Sequence, residues 1–275
     1  MYENLYSNNF IINFIPSFIF LVSLTLFSFS KVLEGKNKFN FFDDTKPLII
    51  FFSAIYLNVF IFNIIIFFNL YNIFHYIIYF YISSIILMSF FLKKKINFSF
   101  IHFEKKNIFI YLILIIFFLI SILPLSDVDS ISVHLKSVSH IFIKGLKNLD
   151  LNQNFEFLSI TNQEIILLFS PILKSDNFGS QLNFFSLLIF FLIFKNKISF
   201  LKFILSCPII IFLISTQKLQ LFFALLFLLL FYLIKNKKIA EFKKSSFLIL
   251  FSLWITFIIN LFFSQNFDLS LNRVL

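Results

Sequence analysis

Residues 108–123 read IFIYLILIIFFLISIL, and fourteen of these sixteen are Ile, Leu or Phe. At a bilayer centre each such side chain contributes about −0.3 to −0.6 kcal/mol, so the stretch carries roughly −4 to −8 kcal/mol of insertion free energy. Hydrocarbon, not water, is the solvent this segment suits.

The rest of the chain repeats the theme. Of 275 residues, 60% are hydrophobic and only 13% charged, with a mean hydropathy of +0.95, whereas about a quarter of a soluble globular chain is charged. A helix needs about twenty apolar residues to cross the hydrocarbon, fewer where flanking groups snorkel. Segments near that length lie at about 10–30, 48–69, 72–92, 108–124, 181–194, 201–216, 219–234 and 246–263. The pattern predicts an all-α, polytopic transmembrane protein of about eight spans. Residues 1–107 would form an N-terminal three-helix membrane segment, and residues 108–275 a second membrane unit. The first ten residues hold no Lys or Arg, and the apolar run to Phe29 lacks an A-x-A-like site, so the first helix is expected to be a retained anchor and not a cleaved leader.

Lysine sets the orientation, because cytoplasmic loops accumulate it. Lys31, Lys36, Lys38, Lys46, Lys93, Lys94, Lys95, Lys105, Lys106, Lys195, Lys197, Lys202 and the cluster at 235–244 all fall on one side if the N-terminus is outside. Counting the short apolar stretch at 165–173 as a further span would break that pattern. Residues 125–180 are therefore expected to form one extracytoplasmic loop that approaches the membrane without crossing it.

That loop holds the candidate chemistry. It opens with Pro124-Leu125-Ser126-Asp127-Val128-Asp129-Ser130, which puts two carboxylates at a membrane exit. Ile131, Leu135, Val138, Phe142 and Leu146 then recur at helical spacing, while Ser132, Lys136, His140, Lys144 and Lys147 occupy other faces, as in an interfacial amphipathic helix. A second juxtamembrane helix is signalled by the capping-box pattern Thr161-Asn162-Gln163-Glu164 before Ile165, Leu168, Phe169 and Ile172. Pro171 should kink it, and Asp176-Asn177-Phe178-Gly179 should turn the chain into the next span.

Other classes are disfavoured. The net charge of +10 comes from short lysine runs between apolar spans, with no soluble basic domain to carry a nucleic-acid groove. Cys207 stands alone, so neither a disulfide framework nor a thiolate metal site can form. The composition, rich in Phe, Ile, Asn and Lys, points to A/T-biased codon usage, which lends weight to the Asp, His, Gly and Pro residues that persist against it.

The loop, on residues 108–234, resembles the GT-C superfamily of membrane glycosyltransferases, in which an acidic motif opens the first extracytoplasmic loop and juxtamembrane helices follow. Ser126-Asp127-Val128-Asp129-Ser130 with His134 is similar to that motif and its following "SLxYH", with Val133 where an aromatic stands. Asp176-Asn177-Phe178-Gly179-Ser180 and Ser215-Thr216-Gln217-Lys218-Leu219-Gln220 are similar to later segments. Members run longer, so the resemblance implies an incomplete core at 108–275. It also implies an enzyme of the bacterial inner membrane that transfers a sugar from a polyprenyl-phosphate lipid to a cell-surface glycan or lipid, as in lipopolysaccharide assembly, with Asp127 as base. Asp129 would orient the acceptor or hold a divalent cation (Mg or Mn), His134 would join the site, and Lys218 would neutralise the lipid phosphate.

Plainer readings stand beside these. Residues 127–130 also suit an N-cap, His134 a solvated interfacial residue, and Lys218 a lysine snorkelling to lipid headgroups. A non-catalytic transporter, flippase-like protein or scaffold subunit is the alternative for the whole chain.

Overall fold

The computed structural model describes residues 10–33, 45–68, 70–73, 108–123, 134–144, 162–194, 202 and 204–235. Almost all of the expected third span and all of the eighth lie outside them, as do Asp127 and Asp129. Every regular element among the described residues is helical: α1 (Phe10–Leu33), α2 (Lys46–Phe67), a 3₁₀ turn (Tyr71–Ile73), α3 (Ile108–Ile122), α4 (Lys136–Lys144), α5 (Asn162–Leu167), α6 (Phe169–Ile172), α7 (Phe178–Phe194), α8 (Ile209–Ile214) and α9 (Gln220–Lys235). The all-α expectation holds. Within α2, Lys46–Ile66 has a mean hydropathy of 2.4 and is long and apolar enough to cross a membrane.

The organising element is α7. Its sequence is apolar around the whole circumference, the mark of a helix with no solvent side, and every residue except Leu188 and Leu192 is buried. It packs against α1, α2, α3, α8 and α9. Phe18 of α1, Phe118 of α3 and Phe184 and Phe185 of α7 meet with ring centroids 5.5 to 5.9 Å apart, inside the range at which tilted aromatic pairs attract. Phe222 of α9 reaches Phe52 and Tyr56 of α2 at 4.9 and 6.3 Å.

By contrast, α3 buries one stripe, Ile110, Leu114, Phe117 and Ser121. Its other face exposes Leu112, Ile115, Ile116 and Leu119 by more than half. A contiguous apolar exterior of this kind marks a surface adapted to an apolar medium or a partner.

Two expectations need correction. The stretch at 201–216 is not one continuous helix: the chain breaks at Ser206-Cys207-Pro208 and only Ile209–Ile214 forms α8. Pro208 has no N–H to donate to the carbonyl four residues back, which stops the preceding turn. Nor are the loop helices as solvated as expected: α4 keeps Lys136 half-exposed and Ile143 exposed, but more of the loop is enclosed. In α4, Ser137, Ser139 and His140 are buried together with Val138 and Ile141, and α5 and α6 are enclosed from Glu164 to Leu173. The reason is legible in Ile165-Ile166-Leu167-Leu168-Phe169: five consecutive apolar residues wrap a whole helical turn and leave no polar side to solvate. Phe169 wedges between α1, α2 and α7, with its ring 4.9 Å from Phe20, 5.0 Å from Phe62 and 5.1 Å from Phe178.

Pro171 acts as expected: the helix divides at Leu168, between α5 and α6. After α6 the chain reverses through a Schellman turn, in which Ser175 N–H donates to the Ser170 carbonyl at 2.8 Å and Lys174 N–H to the Pro171 carbonyl at 3.3 Å. The left-handed position falls on Lys174, with φ 53°, where glycine is usual and a side chain costs about 1 kcal/mol.

Candidate functional site

The ends of α3 and α8 come together with the starts of α7 and α9, and each leaves backbone groups without an intrahelical partner. Away from water those groups must find partners inside the protein, and the amide side chains scattered through the sequence supply them. Asn177 Nδ2 donates to the Ile122 carbonyl at the end of α3, at 2.9 Å. Gly179 N–H, in the first turn of α7, donates to Gln217 Oε1 at 2.7 Å. Asn183 donates to the Leu213 and Lys218 carbonyls at 2.9 and 2.8 Å and accepts from Phe222 N–H at 3.1 Å. Gly179 lies so close to the 215–219 segment that a Cβ would sit 2.0 Å from Gln217 Oε1 and 2.9 Å from the Gln217 carbonyl oxygen.

A second polar group ties α1 to the turn before α7. The Ser17 hydroxyl lies 2.8 Å from that of Ser175 and donates to Gln181 Oε1 at 2.9 Å. Asp176 N–H donates to Asn13 Oδ1 at 2.9 Å, and Asn13 Nδ2 donates back to the Asp176 carboxylate. Burial pushes the Asp176 carboxyl above its ordinary range, and the bonds from Asn13 and from its own backbone N–H pull part of the way back.

A carboxyl with a raised folded-state pKa holds its proton more tightly when folded. Its contribution to stability is therefore largest at low pH and declines as pH rises through the unfolded value and then the folded one. Asp176→Asn keeps an acceptor for Asn13 and removes the desolvated charge. The variant should be at least as stable as the native chain at pH 7, and the stability difference between pH 4 and pH 7 should shrink. Unfolding in detergent at the two pH values checks this; a less stable variant with an unchanged pH slope would mean that the carboxylate itself is required.

The third feature is the pair His134 and Glu164. His134 Nδ1 lies 3.0 Å from Glu164 Oε1, with the His side chain 18% exposed and the Glu 9%. Gln163 Nε2 sits 3.2 Å from Nδ1 and 3.3 Å from Nε2 of the same ring. α4 packs on α5, and α5 on α2, which holds the pair in place.

The residues singled out in the sequence fare differently. His134 is half-buried and engaged by Glu164, not a solvated interfacial residue. Lys218 is half-buried and joins α7 through its backbone carbonyl. Asp127 and Asp129 lie outside the described residues.

Glu164 pairs with a histidine thirty residues earlier; Thr161, its expected capping partner, lies outside the described residues. Asn13 and Asp176, which sequence reasoning did not pair, are 163 positions apart, and no local pattern could have joined them. Among the described residues no group of three or more His, Cys, Asp or Glu could hold a metal ion. No family model, no curated protein and no solved structure matches this chain.

Proposed function

We propose that this chain is a multi-pass membrane glycosyltransferase of GT-C type, with about eight spans, lysine-rich loops in the cytoplasm and the 125–180 loop on the opposite face of a bacterial inner membrane. It moves a sugar from a polyprenyl-phosphate lipid to a hydroxyl of a cell-surface glycan or lipid. The observation that carries the reading is the His134–Glu164 pair, at 3.0 Å, with the carboxylate nearly enclosed and the ring partly exposed; His134 follows Asp127 and Asp129 by seven and five positions in the chain. A carboxylate–imidazole pair behind two further carboxylates is the equipment that proton removal from a hydroxyl needs.

In this reading the acceptor oxygen attacks the anomeric carbon with inversion and the lipid phosphate departs. Asp127 faces the hydroxyl as its base, Asp129 orients the acceptor, and Lys218 faces the phosphate as its counter-charge. A cation near the outer leaflet lowers the energy of the departing anion, which gains charge as the bond breaks.

The test is glycan mass spectrometry on cells lacking the gene and rescued with the native chain or Asp127→Asn, both verified in the membrane fraction. Native rescue should restore one missing sugar, and Asp127→Asn should fail. Equal rescue by the two chains, or no change in any glycan, sinks the reading.

One observation favours the transporter alternative. The two proline-broken helical segments, α5–α6 at Pro171 and 204–214 at Pro208, both pack on α7, and broken helices flank substrate sites in many transporters. That reading requires Asp127→Asn to be tolerated, so the same rescue separates the two.

A further inference from the structure

We propose that Glu164 is a positioning residue that fixes the tautomer of His134, so that Nε2 of His134, and not Asp127, receives the acceptor hydroxyl's proton. The inference rests on the glycosyl-transfer reading and reassigns the proton within it.

The argument begins with what each atom can do. A buried carboxylate accepts and cannot donate, so the Nδ1 that lies 3.0 Å from Glu164 Oε1 must carry the hydrogen. In the neutral ring Nε2 is then bare. The Gln163 amide nitrogen lies 3.2 Å from Nδ1 and 3.3 Å from Nε2, nearly equidistant, so the tautomer is set by the Glu164 carboxylate. A second-layer acceptor on one nitrogen is the usual way of dictating what the other does. The pair sits where that control has most effect, since Glu164 is nearly enclosed while the His134 side chain remains 18% exposed. A reacting group can reach the ring, but water has little access to the carboxylate behind it.

As a base, the ring has two advantages. Once Nε2 takes a proton, Glu164 faces an imidazolium across a short charge-assisted hydrogen bond, which stabilises the product of the proton transfer. An imidazole is also better matched to a neutral operating pH than an ordinary carboxylate.

The step balances as follows. The acceptor O–H bond breaks and its proton goes to the lone pair of Nε2. The oxygen's electron pair forms the bond to the anomeric carbon, and the bond from that carbon to the phosphate oxygen breaks, its pair leaving on the lipid phosphate. Asp127 orients the hydroxyl by accepting a hydrogen bond and carries no proton away.

Nitrogen-15 spectroscopy of the full chain in lipid nanodiscs, labelled at its histidines, reads the tautomer directly. His134→Gln identifies the His134 signals among those of the four histidines. The native protein should show Nδ1 protonated and Nε2 bare, and Glu164→Gln should convert the ring to a mixture or to the opposite tautomer. In the cellular rescue, Glu164→Gln and His134→Gln should each lower the restored glycan about a hundredfold or more at equal membrane levels.

A native ring protonated at Nε2 overturns the proposal without any variant, and so holds even if Glu164→Gln fails to fold. A Glu164→Gln protein that keeps the native tautomer, or that rescues fully, overturns it while leaving the glycosyltransferase reading intact. Cells lacking the gene that show no change in any glycan remove that reading, and this inference with it.

Discussion

Gly179→Ala should lower the unfolding free energy by about 2 to 4 kcal/mol, through overpacking and a lost hydrogen bond. The new methyl would stand 2.0 Å from Gln217 Oε1, 2.9 Å from the Gln217 carbonyl oxygen and 3.0 Å from its Cα. The side-chain oxygen can swing away, but doing so abandons Gly179 N–H, which donates to it at 2.7 Å, in the first turn of α7. The backbone atoms cannot move without shifting the whole 215–219 segment, which Ser180 and Asn183 of the same helix also hold. Unfolding in detergent micelles measures the loss. Gly179→Ala combined with Gln217→Ala sharpens it: if backbone crowding dominates, the double variant stays as unstable as the single one. A Gly179→Ala protein of native stability would show that the segment yields freely.

Asn183→Leu is the second large effect. The substitution keeps the approximate volume and removes two donors and one acceptor at once, leaving the Leu213 and Lys218 carbonyls and the Phe222 N–H without their partner. At the membrane-protein average of about 0.6 kcal/mol per bond the three together are worth about 2 kcal/mol. The figure rises toward about 4 kcal/mol if no water reaches the orphaned groups. Residue 183 is completely buried, which favours the upper end. Hydrogen exchange at the Phe222 amide should quicken in parallel, a response that a mere change of shape would not produce. Native stability with unchanged exchange would mean that the amide is ornamental.

Both predictions turn on residues that looked unremarkable in the chain. Asn183 sits in a strongly apolar run, Phe184-Phe185-Ser186-Leu187-Leu188 following it, and local reading places it simply within a span. Its importance appears only when the broken α8 and the start of α9 come alongside α7 and present unpaired backbone groups to it. Gly179 similarly reads as a turn residue, yet it lies inside α7, and what demands glycine is a neighbour 38 positions away. Glu164 is the instructive case for the site: its sequence neighbours propose a capping box with Thr161, which lies outside the described residues, and tertiary packing brings its carboxylate to His134, thirty positions away.

The amino-acid sequence by itself determined the all-helical class, the bounds of α1, α2, α3 and α9 to within a few residues, and the break at Pro171. These follow from local quantities: apolar run length, side-chain hydropathy and the missing N–H of proline. Which helices α5 and α6 pack against, and the pairing of Asn13 with Asp176, were decided by the tertiary structure. Burial removes water as a hydrogen-bond partner, so each exposed helix end and each polar side chain must find its complement wherever packing brings one, and that search ignores distance along the chain.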